Sequence, residues 1–353
     1  MIRACLIGFG MAGRVFHAPL LSSVEGLELA AVVERNSSNA AQRYPGITTH
    51  RSLDAALADS SLNLFVVATP SGTHFEVASQ ILEAGKPVVV DKPLSTTAAE
   101  IAQLIRLAQA RNLPLIPFLN RRWDSDFRTI AQLLNQGLLG RLVFFESRFD
   151  RWRPDPPTNR LWKEDPAQGG GVLLDLGTHW ADQALILFGK PEAVSADILC
   201  EREWARIPDT FTIRLRYPGF TAVLGTTSLS TSPRPRFYLR GARCNYIKSG
   251  LDPQEAALNQ VTRIDDPHWG EEPPANWGVL DVDEDGTMVT RPIKPIPGDY
   301  RLFYAAVRDA LLGKAPVPAK AVEAWRTARL LEWAVESSGQ RREIPCDWSC
   351  EPR

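Results

Sequence analysis

The sequence lacks long apolar runs, paired cysteines and an excess of charge of either sign. No stretch of about 18 apolar residues occurs in the chain, so no membrane-spanning helix is predicted. The five cysteines are scattered and form no C-x-x-C pair, which argues against a disulfide scaffold or a zinc site and favours the reducing cytoplasm. Lys and Arg together number 40 and Asp and Glu number 41, so the basic surplus that nucleic-acid backbones select is missing.

What the sequence does contain is the composition of an ordinary soluble globular protein. Hydrophobic residues make up 44% of the chain and charged residues 23%, without an internal repeat or a low-complexity tract. A chain of 353 residues is long enough for about two domains. We therefore expect no nucleic acid, membrane or bound metal among its partners.

The first third of the sequence alternates short, nearly continuous hydrophobic runs with helical stretches. Such runs are typical of parallel strands that helices cover on both faces, so residues 1–121 are predicted to form a doubly wound α/β Rossmann domain. The predicted strands are Ile2–Gly8, Leu27–Glu34, Leu62–Ala68, Pro87–Val90 and Leu113–Phe118. The predicted helices are Gly13–Ser23, Ser37–Arg43, Ser52–Ala58, His74–Ala84 and Thr96–Arg111.

Residues 122–353 have a different pattern and are predicted to form a second, α+β domain. Alternating runs favour antiparallel strands at Leu142–Phe149, Ala193–Ile198, Asp209–Tyr217, Thr221–Ser228, Arg236–Arg240 and Cys244–Lys248. Helices are predicted over Ser125–Gln136, Val172–Phe188, Asp299–Leu312 and Ala319–Ser338. Residues 151–171 are rich in Pro, Gly and Trp and are expected to form a long loop over a surface or a cleft, whereas residues 262–297 receive no assignment.

A glycine-rich turn follows the first predicted strand. Gly8-Phe9-Gly10-Met11-Ala12-Gly13 has the pattern G-x-G-x-x-G between a strand and a helix. Glycines permit a tight turn and close backbone approach, and a helix N-terminus offers free N–H groups to a pyrophosphate. These six residues are therefore candidate cofactor-binding residues; the alternative is a glycine-rich turn that binds nothing.

The end of the second predicted strand bears on the choice of cofactor. Glu34 lies where a carboxylate can bind the adenosine ribose, which slightly favours NAD over NADP. Arg35 and Ser37 favour NADP instead, since both can hold a 2′-phosphate, although Arg35 can equally stack on adenine or face solvent. The cofactor is expected to be NAD or NADP, with NAD slightly favoured.

Further candidates end the third and fourth predicted strands. Thr69 and Pro70 are expected to line the cofactor, because ligands bind at the carboxyl ends of parallel strands. His74 begins the next helix, either as a cap of that helix or as a further cofactor contact. Lys92 ends the fourth strand, where an amine can polarise a carbonyl or hold an alcoholate; the alternative is a solvated surface lysine.

Asp175 and His179 form a second candidate pair for chemistry. Their i, i+4 spacing predicts one shared helix face, on which the carboxylate would raise the pKa of the imidazole and orient it as a proton carrier. Asp182 is an alternative partner for His179. A purely structural pairing is the other interpretation, although the glycines at 169–171 favour a ligand close by.

Together these motifs resemble the Gfo/Idh/MocA family of NAD(P)-dependent oxidoreductases over essentially the whole chain. The resemblance rests on the glycine motif with His17-Ala18-Pro19, on Ala68-Thr69-Pro70, on Asp91-Lys92-Pro93, and on Asp175 with His179. The family more often has Glu-Lys-Pro around the lysine. Within the family the sequence is similar to scyllo-inositol 2-dehydrogenases through the strings at 16–20, 120–127, 149–154 and 250–255.

The resemblance implies a Rossmann domain followed by an open, mainly antiparallel sheet, with the last helix returning to the first domain. It implies a homodimer or homotetramer that assembles through the outer face of that sheet. It also implies hydride transfer between a nicotinamide and the CH–OH or C=O group of a cyclitol or sugar. Lys92, His179 and Asp175 would be the catalytic residues, and Lys92 and His179 could exchange the roles of proton carrier and oxygen stabiliser.

Several side chains are expected to face the substrate. The candidates are Lys92, Asn120, Arg121, Trp123, Asp150, Arg153, Trp162, Asp175 and His179. Trp supplies an apolar face to the C–H side of a sugar. Core packing is the alternative for Trp123, and surface pairing is the alternative for Arg121 and Arg153.

Two other functions remain open: a non-catalytic NAD(P)-binding sensor, and a reductase of a non-sugar substrate such as a bilin or an imine. A pure binding module has no need of a proton relay, so Lys92, Asp175 and His179 together favour an enzyme. A non-sugar reductase would have a more apolar cleft than the segments rich in Arg, Asp and Asn indicate.

Overall fold

The computed structural model describes residues 1–156, 170–260 and 264–352. Most of the predicted loop at 151–171, including Trp162, lies outside the described residues. The described chain forms two sheets, one on each side of the predicted division at residue 121, and the position of that division stays a prediction. No helix in the described part of the chain combines the length and the apolar character that a membrane crossing requires.

The first sheet has six parallel strands in the order β3-β2-β1-β4-β5-β6. Their bounds are β1 Ile2–Ile7, β2 Leu27–Val33, β3 Thr48–His50, β4 Leu64–Val67, β5 Val88–Asp91 and β6 Leu115–Phe118. The central side chains, such as Phe65 and Val89, are fully buried because helices cover both faces. The predicted doubly wound domain is confirmed. Strand β3 was not predicted, since three residues are too short for a recognisable pattern.

The helices of this part begin and end at local signals. They are α1 Ala18–Ser23, α2 Asn39–Arg43, α3 Leu53–Leu57, α4 His74–Glu83 and α5 Ala98–Arg111. Ser52 and Thr97 cap α3 and α5 by accepting hydrogen bonds from backbone N–H groups, and Asn112 ends α5 in the left-handed conformation. A π-helical turn, Gly13–His17, leads into α1.

The second sheet has nine strands in the order β14-β13-β12-β11-β7-β10-β9-β8-β15. Their bounds are β7 Leu142–Arg148, β8 Ala193–Leu199, β9 Thr210–Tyr217, β10 Phe220–Thr226, β11 Phe237–Gly241, β12 Cys244–Lys248, β13 Gly278–Glu284, β14 Thr287–Ile293 and β15 Ile344–Pro345. Only β7 and β10 pair in parallel, so the expected mainly antiparallel sheet is confirmed. Strands β13 and β14 lie in the unassigned region, where acidic and exposed residues hide the alternation.

Helices cover one face of this sheet. That face is covered by α6 Ser125–Asn135, α7 Thr178–Phe188 and α10 Ala321–Gln340, whereas α8 Gln254–Asn259 and α9 Arg301–Leu311 pack with the core of the first domain. Ile130 of α6, Trp180 of α7 and Leu330 of α10 share one core with the inward side chains of the sheet. Helix α10 also packs against α5, so the last long helix returns to the first domain as expected.

Helix α9 lies in the core of the first domain. Phe303, Tyr304 and Val307 are fully buried against Phe118 and other Rossmann-domain residues. The sequence assigns this helix to the second domain, because linear order carries no information about which core an amphipathic face will join. The two parts of the chain are thus joined by α9 as well as by α10.

Candidate active site

The glycine turn leaves open the space that a pyrophosphate needs. Gly8 has φ +95°, and a Cβ there would lie 2.9 Å from the carbonyl oxygen of Ala68. A Cβ on Gly13 would lie 2.3 Å from the carbonyl oxygen of Gly8, whereas a Cβ on Gly10 would meet no atom within 4 Å. The first and third glycines close the turn, and Gly10 faces open space, so the residues present fit a dinucleotide.

The other three residues of the motif contribute mainly through their backbone. The Phe9 side chain is buried in the domain core, edge-on to Tyr44 with ring centroids 6.2 Å apart. Met11 and Ala12 are half-buried and pack on the same core. A cofactor at this turn therefore meets N–H groups rather than these side chains.

A π-helical turn, Gly13–His17, connects the glycine turn to the end of β5. His17 is fully buried, with Nδ1 2.6 Å from the hydroxyl oxygen of Tyr304 and Nε2 3.8 Å from Oδ1 of Asp91. Burial raises the pKa of Asp91, but the nearby imidazole of His17 and the charge of Lys92 outweigh that effect, so the pKa of Asp91 lies below its usual range. Sequence reasoning quoted His17 only as part of a motif and missed this contact.

The carboxylate of Glu34 is held inside the protein. Glu34 is 5% exposed, and it accepts hydrogen bonds from Ser37 Oγ at 2.6 Å and from the Ala40 N–H at 2.8 Å. Arg51, which sequence reasoning did not select, donates to the Glu34 carbonyl at 3.0 Å and also to the Ser37 carbonyl. The Arg35 side chain is exposed. The loop after β2 is thus flanked by two arginines, Arg35 and Arg51.

The loops after β4 and β5 are held together by His74. Its ring nitrogens lie 2.7 Å from the Pro93 carbonyl oxygen and 2.9 Å from the Thr69 carbonyl oxygen, and the residue is 1% exposed. His74 therefore has a structural role that joins these two loops instead of capping its helix, and its contact with a cofactor stays a prediction. Thr69 and the exposed Pro70 lie at the expected edge, with Thr69 Oγ1 accepting a hydrogen bond from Thr73 Oγ1 at 2.7 Å.

Lys92 contacts the second half of the chain directly. Its Nζ donates to Asp175 Oδ1 at 2.8 Å and to the Asp175 carbonyl oxygen at 2.7 Å, across 83 residues of sequence. Asp175 lies in a second π-helical turn, Leu173–Gly177, that precedes α7. Asp175 and His179 therefore lie on one continuous helical segment, but the turn that carries Asp175 is π-helical rather than α-helical, and the Asp175 carboxylate binds Lys92.

The imidazole of His179 is buried and its pKa is lowered well below its usual range. Burial is the largest cause, and the positive charges of Lys92 and Arg121 lower the pKa further. The charge of Asp175 raises it, but not enough to compensate. The expected rise in pKa is therefore wrong. A neutral imidazole at pH 7 is ready to accept a proton rather than to give one.

Asp182 has a different partner from the one considered. Its carboxylate accepts hydrogen bonds from Arg122 Nη2 at 2.6 Å and from Arg122 Nε at 2.8 Å, and Arg122 Nη1 donates to Glu323 at 2.8 Å. This cluster joins the segment after β6 to α7 and α10. Asp182 therefore helps to hold α7 and α10 together through Arg122. The alternative expectation that Asp182 pairs with His179 is wrong.

Arg121 lies close enough to His179 for its charge to lower the pKa of the imidazole. Its Nη2 donates to Glu255 at 2.7 Å and its Nη1 donates to Asp124 at 3.2 Å, while its Nε is buried without a hydrogen-bond partner among the described residues. Tyr300 supports Asp124 through a hydroxyl donor at 2.7 Å. Asn120 precedes Arg121 and is buried at the end of β6. Surface pairing of Arg121 is excluded by this burial.

Other substrate candidates have structural contacts instead. Trp123 packs edge-on against Phe303 with ring centroids 5.5 Å apart and belongs to the Rossmann-domain core, so its alternative interpretation holds. Asp150 is buried between Arg148 and Arg234, each with Nε at 3.3 Å, and is corrected to a structural residue. Arg153 is exposed, and Trp162 lies outside the described residues.

The site therefore combines an ammonium group, a neutral imidazole and a glycine turn at one edge of a parallel sheet. The described residues include no group of three or more His, Cys, Asp or Glu side chains that is arranged to hold a metal ion. Proton transfer and charge stabilisation next to a bound dinucleotide are the chemistry that these groups can perform.

Comparison with known proteins agrees with this arrangement. Residues 2–118 match the family model described as an oxidoreductase family with an NAD-binding Rossmann fold, and residues 127–246 match the Gfo/Idh/MocA C-terminal domain. The chain is 38% identical to the uncharacterized oxidoreductase YdgJ of Escherichia coli, over 97% of this chain and 98% of that one. It is 33% identical to the scyllo-inositol 2-dehydrogenase (NADP(+)) IolW of Bacillus subtilis, over 97% of this chain and 95% of that one.

A solved structure extends the likeness to the whole fold. The oxidoreductase yvaA of Bacillus subtilis superposes with a TM-score of 0.93 at 32% identity, covering 98% of this chain and 99% of that one. The two family models match successive parts of the chain, residues 2–118 and 127–246. The chain therefore belongs to the Gfo/Idh/MocA family and is an NAD(P)-dependent oxidoreductase.

Proposed function

We propose that this enzyme oxidises the CH–OH group, or reduces the corresponding C=O group, of a cyclitol or sugar. The observation that carries the proposal is the ion pair of 2.8 Å between Lys92 and Asp175, beside the neutral imidazole of His179. A bound nicotinamide ring would supply the hydride acceptor or donor. The name of the relative IolW, a scyllo-inositol 2-dehydrogenase, supports a polyol substrate.

Each group has a distinct task in the direction of oxidation. His179 accepts the hydroxyl proton, because its lowered pKa leaves it unprotonated at pH 7. An ammonium group has three N–H donors, and Lys92 gives two of them to Asp175. The third is available to the substrate oxygen, where it stabilises developing negative charge. Asp175 acts as a positioning residue that fixes the direction of the Lys92 ammonium group.

The alternatives receive less support. A sensor would gain nothing from a charged lysine that is paired across two domains next to an unprotonated histidine. A reductase of an apolar, non-sugar substrate would have to accommodate the guanidinium of Arg121 and the ammonium of Lys92 at its reacting end.

Within the pair NAD and NADP, we propose that NADP is preferred. The carboxylate of Glu34 is buried and already accepts hydrogen bonds from Ser37 and the Ala40 N–H, which makes it less available to a ribose. Arg35 is exposed after β2, so its guanidinium is available for a 2′-phosphate, and Arg51 adds a second positive charge to the same loop while it donates to that loop's backbone. The relative IolW is named as NADP-dependent.

We further propose that copies of the chain pair through the outer face of the nine-stranded sheet. Phe144 and Tyr238 lie on this face with ring centroids 6.2 Å apart, and Arg240 covers the Phe144 ring at 4.8 Å. The helices α6, α7 and α10 cover the opposite face. Light scattering of the purified chain should give the mass of a dimer or tetramer, and a monomer at micromolar concentration would contradict the proposal.

Steady-state kinetics test the function itself. The reduced cofactor is followed at 340 nm with NAD or NADP across inositols and aldohexoses, in both directions. Turnover with at least one polyol, and a higher kcat/KM with NADP than with NAD, is the expected result. Cofactor binding without turnover of any polyol would favour the sensor.

A further inference from the structure

Arg151 is a half-buried cation for which the described protein supplies no anion. The residue follows β7, and its backbone is held by hydrogen bonds with Thr227 and Ser230, both 2.9 Å long. Its guanidinium carbon lies 5.0 Å from the centre of the Phe149 ring. Its Nε is buried without a hydrogen-bond partner, and no carboxylate of the described residues forms an ion pair with it. Backbone hydrogen bonds and the Phe149 ring hold Arg151 in place, but no ion pair with a described residue neutralises its guanidinium.

The guanidinium of Arg151 lies in the cleft next to the proposed chemistry. Burial lowers its pKa most, the charge of Arg153 lowers it further, and the charges of Asp175 and Glu255 raise it, for a net pKa of about 10. Asp175 is already bound to Lys92, and Glu255 is already bound to Arg121. Both carboxylates near Arg151 are therefore shared with other cations.

Three other cations around the cleft are matched by carboxylates. Lys92 has Asp175 at 2.8 Å, Arg121 has Glu255 at 2.7 Å and Arg122 has Asp182 at 2.6 Å. Arg121 nevertheless retains a buried Nε–H without a partner, as Arg151 does. A buried donor without a partner destabilises the protein, so two such donors at one cleft indicate a ligand group that binds them.

The chemistry of these donors identifies that group. A neutral hydroxyl could accept one N–H but would leave the guanidinium charge uncompensated. A carboxylate or phosphate oxygen accepts N–H donors and supplies the missing negative charge, and its charge-assisted hydrogen bonds are about twice as strong as neutral ones. An anionic substituent on the substrate therefore satisfies both requirements.

We propose that the sugar or cyclitol oxidised here carries a carboxylate or a phosphate group, which binds Arg151 and the Nε–H of Arg121. This inference rests on the proposed function and narrows its substrate class from polyols in general to anionic polyols. Lys92 and His179 act on the hydroxyl carbon, and Arg151 holds the charged end of the same molecule.

Matched substrate pairs test the inference with the full-length chain and saturating NADP. D-glucose with D-glucuronate and D-galactose with D-galacturonate probe the carboxylate, and myo-inositol with its 1-phosphate probes the phosphate. The charged member of at least one pair should have a kcat/KM about 10–100-fold above its neutral partner, the size of a charge-assisted hydrogen bond.

Substitution of Arg151 separates charge recognition from catalysis. Arg151→Gln should raise KM for the charged member about 10–100-fold and leave kcat/KM for the neutral member within about threefold, while Arg151→Lys should retain part of the preference. Arg106→Gln on the exposed face of α5 removes an equal charge away from the cleft and should leave both values unchanged. Equal activity on charged and neutral members in wild type, or an equal loss on both in Arg151→Gln, overturns the inference.

Failure of the proposed function would give a different result. If no member of any pair is oxidised or reduced although the cofactor binds, the dehydrogenase proposal fails. The anion site is then tested by ligand binding instead of by turnover. Calorimetric titration of the enzyme–NADPH complex with D-glucuronate and D-glucose should show tighter binding of the acid, which Arg151→Gln abolishes. Equal affinity for acid and sugar would overturn the anion site as well.

Discussion

The two ends of the cleft are built in different ways. At the cofactor end, Gly8, Gly10 and Gly13 lie within six consecutive residues, and backbone conformation makes the site. At the substrate end, Lys92 and Asp175 come from positions 83 residues apart, and buried charges make the site. A local sequence motif predicts the cofactor end of the cleft, whereas the substrate end forms only when the two domains pack together.

The same contrast appears in the two π-helical turns. Gly13–His17 leads into α1, and Leu173–Gly177 leads into α7. The first carries His17 to Asp91, and the second carries Asp175 to Lys92, so both turns contact consecutive residues at the end of β5. Such turns are frequent at functional sites, and here they aim side chains at the strand end that holds the lysine.

The largest expected effect is at the substrate end. Lys92→Met and His179→Gln should each lower kcat by a factor of about 100–10,000, because each removes one of the two groups that handle the proton and the charge on the substrate oxygen. Cofactor affinity, measured by fluorescence titration, should change little because the glycine turn is untouched. Lys314→Met, at an exposed position, is the control. Wild-type turnover in both variants would end the assignment.

A pair of glycine substitutions sharpens the comparison at the cofactor end. Gly13→Ala should lower the free energy of unfolding by about 3 kcal/mol or more, because its Cβ would lie 2.3 Å from the backbone oxygen of Gly8. Gly10→Ala meets no protein atom within 4 Å and should keep wild-type stability while weakening cofactor binding. Denaturant melts with and without NADP measure both quantities. A stable Gly10→Ala variant with unchanged cofactor affinity would show that no dinucleotide binds over this turn.

A smaller effect on stability is expected where the domains are tied together. Asp182→Asn should cost about 2 kcal/mol of unfolding free energy, because one charged hydrogen-bond acceptor of Arg122 is lost while Glu323 remains. The kcat should stay within about threefold of wild type, since Asp182 does not contact the imidazole of His179 in this arrangement. Chemical denaturation measures the change in unfolding free energy, and initial rates measure the change in kcat. A large loss of kcat at unchanged stability would restore Asp182 to the proton relay.

The most modest expected effect is on pH dependence. The pKa of His179 lies below the ordinary value of about 6.5, so kcat/KM for oxidation should be flat near neutrality and should fall only at more acidic pH. Because the unfolded chain binds the proton more readily, stability should also fall as the pH drops below about 6.5. The residual activity of His179→Gln should lack this acid limb. An acid limb centred above pH 7 would contradict the lowered pKa.

Sequence reasoning predicted the Rossmann domain well and the second domain less completely. Continuous hydrophobic runs such as Leu64–Val67 are typical of parallel strands that helices cover on both faces. Strand β14 is mostly exposed and its pattern is polar, so nothing local distinguishes it from a loop. Helix α9 was predicted as a helix, but its position in the first core depends on partners such as Phe118 that are distant in sequence.

For the site, residue identity was easier to predict than residue partnership. Lys92, Asp175 and His179 were selected from strand ends and helical spacing, yet the structure pairs Asp175 with Lys92 and shifts the pKa of His179 downwards. Arg151 was overlooked in favour of Arg153 two residues later, although both follow the end of β7. The pleat and the path of the chain decide which of them turns into the cleft.

By itself the sequence determined the elements that depend on short range: strands, helices, the glycine turn and the residue types at the strand ends. Those features follow from backbone preferences and from hydrophobic periodicity within a few residues. Tertiary structure alone decided which charges meet, which proton acceptor is neutral and which guanidinium is left without an anion. Electrostatic energies and burial sum over groups that are close in space, and closeness in space is settled only when the two domains pack.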